Sequence, residues 1–128
     1  NFPITSRATP KVETILSAKK LFEEVKYPII MHCKSGADRA GLMSALYLIL
    51  HKNIPVREAK KQLSLKYLHI KYAKTGILDA FFDSYLEENN NKKFLEWVKN
   101  DYNPEKLKSS FKAKKLSEII STYILRRE

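Results

Sequence analysis

The sequence predicts an α/β domain in which helix outweighs sheet, and three observations predict it. First, a single apolar run, Tyr27-Pro28-Ile29-Ile30-Met31-His32, begins at a proline breaker and reads as a buried strand. Second, that run feeds a short loop, residues 33–39, which opens directly onto a helix, the arrangement of an anion site. Third, everything after the loop has helical periodicity, and the helix formers Leu, Lys, Glu and Ala dominate. The expected architecture is a sheet flanked by helices with a helical C-terminal half. One strand is not a sheet, so its partners are expected in residues 1–10 or upstream of Asn1. The first part of the sheet is therefore expected to be missing from this chain. A strand left without partners has unsatisfied N–H and C=O groups, which predicts an exposed sheet edge.

The elements follow in order. Thr9-Pro10 reads as a helix start, with Thr as N-cap and Pro at the first helical position. Val12, Ile15, Leu16, Ala18, Leu21 and Phe22 then recur at helical spacing, which predicts a helix over 11–25. Residues 40–51 are apolar on nearly every side, and such a helix belongs at the centre of a fold. Asn53-Ile54-Pro55 breaks it. A further helix is expected over 56–67, an irregular stretch over 68–74 and a helix over 76–88. After a polar turn, residues 92–99 form a short helix, Asn103-Pro104 starts another, and Leu116, Ile119, Ile120, Tyr123 and Ile124 mark a last amphipathic one. The whole chain, 1–128, reads as one domain: a loop at 32–41, a helical part at 42–110 and a C-terminal helical extension at 111–128.

The 128 residues are enough for one sizeable core. Hydrophobic residues make up 44% and charged residues 30%, a globular rather than a disordered balance. Lys and Arg number 24 against 14 Asp and Glu, a formal net charge of +10. That balance favours anionic partners: phosphorylated molecules, anionic lipid or nucleic acid. The lysines are spread along the chain and no nucleic-acid motif is present, so nucleic acid is not expected. The single cysteine, Cys33, excludes an intrachain disulfide and fits a reducing, cytoplasmic setting. Secretion or membrane attachment through an upstream segment stays open. No apolar run reaches the roughly 18 residues of a membrane span.

The loop His32-Cys33-Lys34-Ser35-Gly36-Ala37-Asp38-Arg39 carries the chemistry. A cysteine at a strand end, facing a helix N-terminus and a guanidinium, is favoured as the thiolate, the nucleophilic form. Loop N–H groups turned inward form an anion-binding nest, and Gly36 lets the backbone curl around it. Arg39 can grip two oxygens of one phosphoryl group, which a lysine cannot. An Asp at a helix start is commonly just a cap, and His51 and His69 read as structural. No His, Cys or carboxylate cluster has metal spacing, so neither a metal nor any other cofactor is expected.

His-Cys-x-x-Gly-x-x-Arg resembles the signature of the cysteine-dependent protein tyrosine and dual-specificity phosphatases, matched at His32, Cys33, Gly36 and Arg39, with Gly41 two places after the arginine. An Asp just before the arginine is similar to the loop of bacterial atypical phosphatases acting on phosphotyrosine and phosphoinositides, and of myotubularin lipid phosphatases. The stretch 67–85, with Lys74-Thr75-Gly76-Ile77-Leu78-Asp79-Ala80-Phe81-Phe82, resembles the helical half of bacterial dual-specificity-type enzymes. The resemblance spans about residues 9–104. It implies a dual-specificity-phosphatase-like fold and hydrolysis of phosphate monoesters on a phosphoprotein or phosphoinositide. Cys33 would attack phosphorus to form a phosphocysteine, Arg39 would bind the phosphate and the transition state, and the N–H groups of Lys34, Ser35, Gly36, Ala37, Asp38 and Arg39 would complete the phosphate cradle. His32 and Gly41 would support the loop, His32 by tuning the thiolate. The family's usual acid lies about thirty residues before the cysteine, but residues 1–10 hold no Asp or Glu, so the acid role passes to Asp38. Where the family usually has Ser or Thr after the arginine stands Ala40, which implies slow breakdown of the phosphocysteine. Two rival readings remain: a pseudophosphatase that binds phosphorylated ligands without turnover, and a basic binder of anionic membrane or nucleic acid that uses the last helix.

Overall fold

The stretch that is apolar on nearly every side becomes the helix around which the others pack. In the computed structural model, which describes residues 2–34, 36–67, 69–71 and 74–127, this is α2, Asp38–Leu50. It buries Gly41, Leu42, Met43, Ala45, Leu46 and Ile49, which leaves few positions around its circumference for solvent. Each large aliphatic side chain so buried contributes roughly 1.5–3 kcal/mol. α1, Val12–Glu24, lies against α2 and presents Ile15, Ala18 and Phe22, a stripe at helical spacing. α3, Val56–Ala59, packs on another part of α2 and buries Val56 and Ala59.

The C-terminal half is built on aromatic rings. α4, Ile77–Glu88, buries Ile77, Leu78, Phe81 and Phe82, and α5, Phe94–Asn100, buries Phe94, Trp97 and Val98. Phe81, Phe94, Trp97 and Tyr102 pack edge-on, tilted or stacked with centroids 4.9–6.3 Å apart, the favoured range for aromatic pairs. The Tyr102 hydroxyl donates to the Pro10 carbonyl at 2.6 Å, joining the two ends of the domain. α6, Pro104–Arg127, starts as its Asn103-Pro104 signal predicts. Asn103 Oδ1 accepts from the N–H groups of Glu105 and Lys106 at 3.0 and 3.2 Å, and Pro104 takes the first helical position.

The predicted α/β class is wrong. The described residues are 67% helical and contain no strand, and their arrangement is a helical bundle-like fold. Residues 27–32 follow α1 without pairing to another segment. A strand exists through inter-strand hydrogen bonds, not through apolar sequence. The N-terminal residues expected to supply a partner instead pack irregularly, with Phe2 and Ile4 against the core. Ile30, expected to be buried, is 90% exposed.

Smaller expectations also change. Thr9-Pro10 does not cap α1: the N-cap is Lys11, and Pro10 is buried beneath Tyr102. The helix expected over 56–67 breaks after Ala59 into two short 3-10 turns, Lys60–Gln62 and Leu65–Tyr67. Leu63 leaves helical geometry at φ −96°, ψ 80° as it packs, buried, beside Gly41. The start signal at Asn103 and the last amphipathic stripe belong to one continuous helix, so α6 runs through residues 110 and 111.

Candidate functional site

The loop between α1 and α2 brings its two principal candidates together. Cys33 and Arg39, both half-buried, line one cavity of about 670 Å³ with His32, Lys34 and Ala40. The opposite wall is apolar, formed by Leu21 and Phe22 of α1, Ile29 and Met31 of the loop, and Met43 of α2. Arg39 is held by the first turn of α2, whose early N–H groups have no partner within the helix. The cavity thus joins a thiol, a guanidinium and the first turn of a helix, a combination suited to an anionic ligand.

The glycines act differently from one another. Gly36 has φ +73°, left-handed backbone that a residue with a Cβ adopts at a cost, so it shapes the loop through conformation. Gly41 acts through space: a Cβ there would lie 3.1 Å from Leu63 Cδ2 and 3.2 Å from the Gln62 carbonyl oxygen. It permits close packing of α2 on the Lys60–Gln62 turn. Ala37 is the buried N-cap of α2, and Lys34 and His32 are exposed at the cavity's rim. Ser35, the remaining predicted contact, lies outside the described residues.

Asp38 is placed elsewhere. It is not among the residues that line the cavity of Cys33 and Arg39. Its Oδ1 lies 2.8 Å from His69 Nδ1, and His69 Nε2 lies 2.6 Å from Asp79 Oδ2. The Asp38–His69–Asp79 chain ties the first residue of α2 to the first turn of α4. The His69 side chain is 1% exposed and that of Asp79 8%. Burial works against a charge on His69, but the hydrogen bonds and charges of Asp79 and Asp38 outweigh it, so its pKa is raised.

Sequence reasoning read His69 as structural and gave Asp79 no role. No sequence signal marks Asp79: at helical spacing it falls at the edge of the apolar stripe, with Asp83 four residues on, where a carboxylate is ordinary.

The chain has a consequence for stability. A raised folded-state pKa means that His69 contributes stability below its unfolded value of about 6.5 and loses it as pH rises through the folded value. The unfolding midpoint is expected to fall over that upper window, and His69→Gln should flatten the dependence. Asp79→Ala, which leaves a buried imidazole with one partner, is expected to cost about 3–5 kcal/mol by denaturant titration. An unchanged pH profile in His69→Gln would remove the pairing from the account.

Among the described residues no group of three His, Cys, Asp or Glu side chains is placed to hold a metal ion. No helix among them is long and apolar enough to cross a membrane. No protein-family model matches the chain, and neither a curated protein nor a solved structure shows significant similarity to it.

Proposed function

We propose that the chain is a cysteine-dependent phosphatase that hydrolyses phosphate monoesters of the phosphotyrosine or phosphoinositide type through a phosphocysteine. The observation that carries this reading is the shared cavity of Cys33 and Arg39 at the N-terminus of α2. The resemblance of His32-Cys33-Lys34-Ser35-Gly36-Ala37-Asp38-Arg39 to the cysteine-dependent phosphatase signature supports it.

In this reading the Cys33 thiolate attacks phosphorus and expels the leaving oxygen, forming the S–P bond as the O–P bond breaks. Arg39 and the first N–H groups of α2 hold the phosphoryl oxygens as their charge develops. Water then attacks the phosphocysteine, releasing phosphate and restoring the thiolate. Ala40 lines the same cavity and offers no hydroxyl to the departing sulfur, so this second step is the slow one.

Asp38 enters as an anchor. Through His69 it fixes the first turn of α2, and with it the direction of Arg39. Service as general acid would require its carboxyl to turn from His69 toward the cavity.

The test is turnover of a generic aryl phosphate. Hydrolysis is expected, with inhibition by vanadate and no loss in EDTA. Stoichiometric phosphate binding without turnover would favour the pseudophosphatase reading, to which Ala40 lends support. Absence of both would reject the site.

A further inference from the structure

α6 carries an apolar face that its own fold does not use. Its first half packs on α4, with Leu107 buried and Phe111 against the core. At 3.6 residues per turn, Leu116, Ile119, Ile120, Tyr123 and Ile124 fall on roughly the opposite side of the helix. They are 59%, 64%, 49%, 62% and 52% exposed. A stripe turned away from α4 cannot be covered by α4.

The charges around it are one-sided. Residues 106–127 hold seven Lys and Arg and a single acid, Glu118. Glu118 lies on the side facing α4, where it lines the cleft between the two helices. Arg126 lies at one edge of the stripe by the same helical geometry, and Lys112 and Lys108 continue that edge into the preceding turns.

We propose that this outer face of α6 docks on an anionic lipid surface, with the four aliphatic side chains in the acyl boundary and the bordering cations at the headgroups. Lipid offers an apolar layer edged by negative charge, the complement of this face. Long Lys and Arg side chains reach from an immersed helix back to the headgroups. A second copy of the chain fits less well. It brings the same cations against these, on a chain of net charge +10. Nucleic acid would take the cations, but Tyr123 is the one ring of this face, and the four aliphatic side chains around it gain little where base stacking calls for successive aromatic platforms.

The experiment is flotation of the full chain with vesicles of phosphatidylcholine alone and of phosphatidylcholine with phosphatidylglycerol. Binding is expected on the anionic vesicles, at least about 10-fold weaker on the neutral ones, and lost near 1 M salt, where the Debye length is about 3 Å. Leu116→Glu with Ile120→Glu is expected to weaken binding by about 10-fold or more while helical content by circular dichroism stays unchanged. Should that pair lose helix, Lys112→Gln with Arg126→Gln decides, with the same loss expected. No binding to anionic vesicles, equal binding to neutral ones, or full binding in the variants would overturn the proposal. So would a dimer in light scattering that Leu116→Glu with Ile120→Glu dissociates.

Discussion

A Cys33→Ser variant is expected to lose aryl phosphate hydrolysis by about 10⁴-fold or more while still binding phosphate analogues. A serine hydroxyl at that place is a far weaker nucleophile, because its alkoxide is scarcely populated near neutral pH, whereas a thiol ionises far more readily. The change removes the attacking atom and leaves the cradle. Arg39, Gly36 and the first turn of α2 keep their positions, and Cys33 lies at the cavity wall rather than in the core. The measurement is single-substrate kinetics beside a titration with phosphate. Hydrolysis retained within a few fold would move the nucleophile away from Cys33.

Arg39→Lys is expected to lower kcat/KM by about 10²–10³-fold, the usual effect of removing a donor from developing negative charge. Charge is conserved in this substitution, so a purely long-range attraction would leave the rate nearly unchanged. What is lost is the planar fork that holds two phosphoryl oxygens at once. The loss should fall more on kcat than on KM if the second oxygen is gripped mainly in the transition state. A loss confined to KM would reduce Arg39 to a ground-state contact. His69→Gln gives a useful contrast: it weakens the anchor of α2 through Asp38 and leaves the Arg39 fork chemically intact.

The shared placement of Cys33 and Arg39 was legible because it depends on local order. Cys33, Gly36 and Arg39 within seven residues, followed at once by a helix, carry their own geometry. The central position of α2 was equally legible, since a helix apolar on all sides has only one place to go. The strand at 27–32 misled because an apolar run states burial, and pairing is a property of two segments. Ile30 is exposed and the run remains single. The break after Ala59 was hidden because the packing of Leu63 beside Gly41 is a contact between residues more than twenty apart. The Asp38–His69–Asp79 chain is likewise tertiary: 31 and 10 residues separate its members, and neither spacing is a motif. The side-chain partner of Asp38 could not be read from its neighbours in sequence, because it is a histidine arriving from beyond α3.

The claim that organises these results is a covalent bond between Cys33 and the phosphoryl group. It is tested most directly by mixing the native chain with an aryl phosphate, quenching in acid within the first turnovers and locating phosphate by peptide mass spectrometry. Slow breakdown, expected from Ala40, lets the intermediate accumulate. The account predicts phosphate on the peptide that carries Cys33, and none there in Cys33→Ser. Release of phosphate with no phosphorylated peptide, or with the label on another residue, would contradict it.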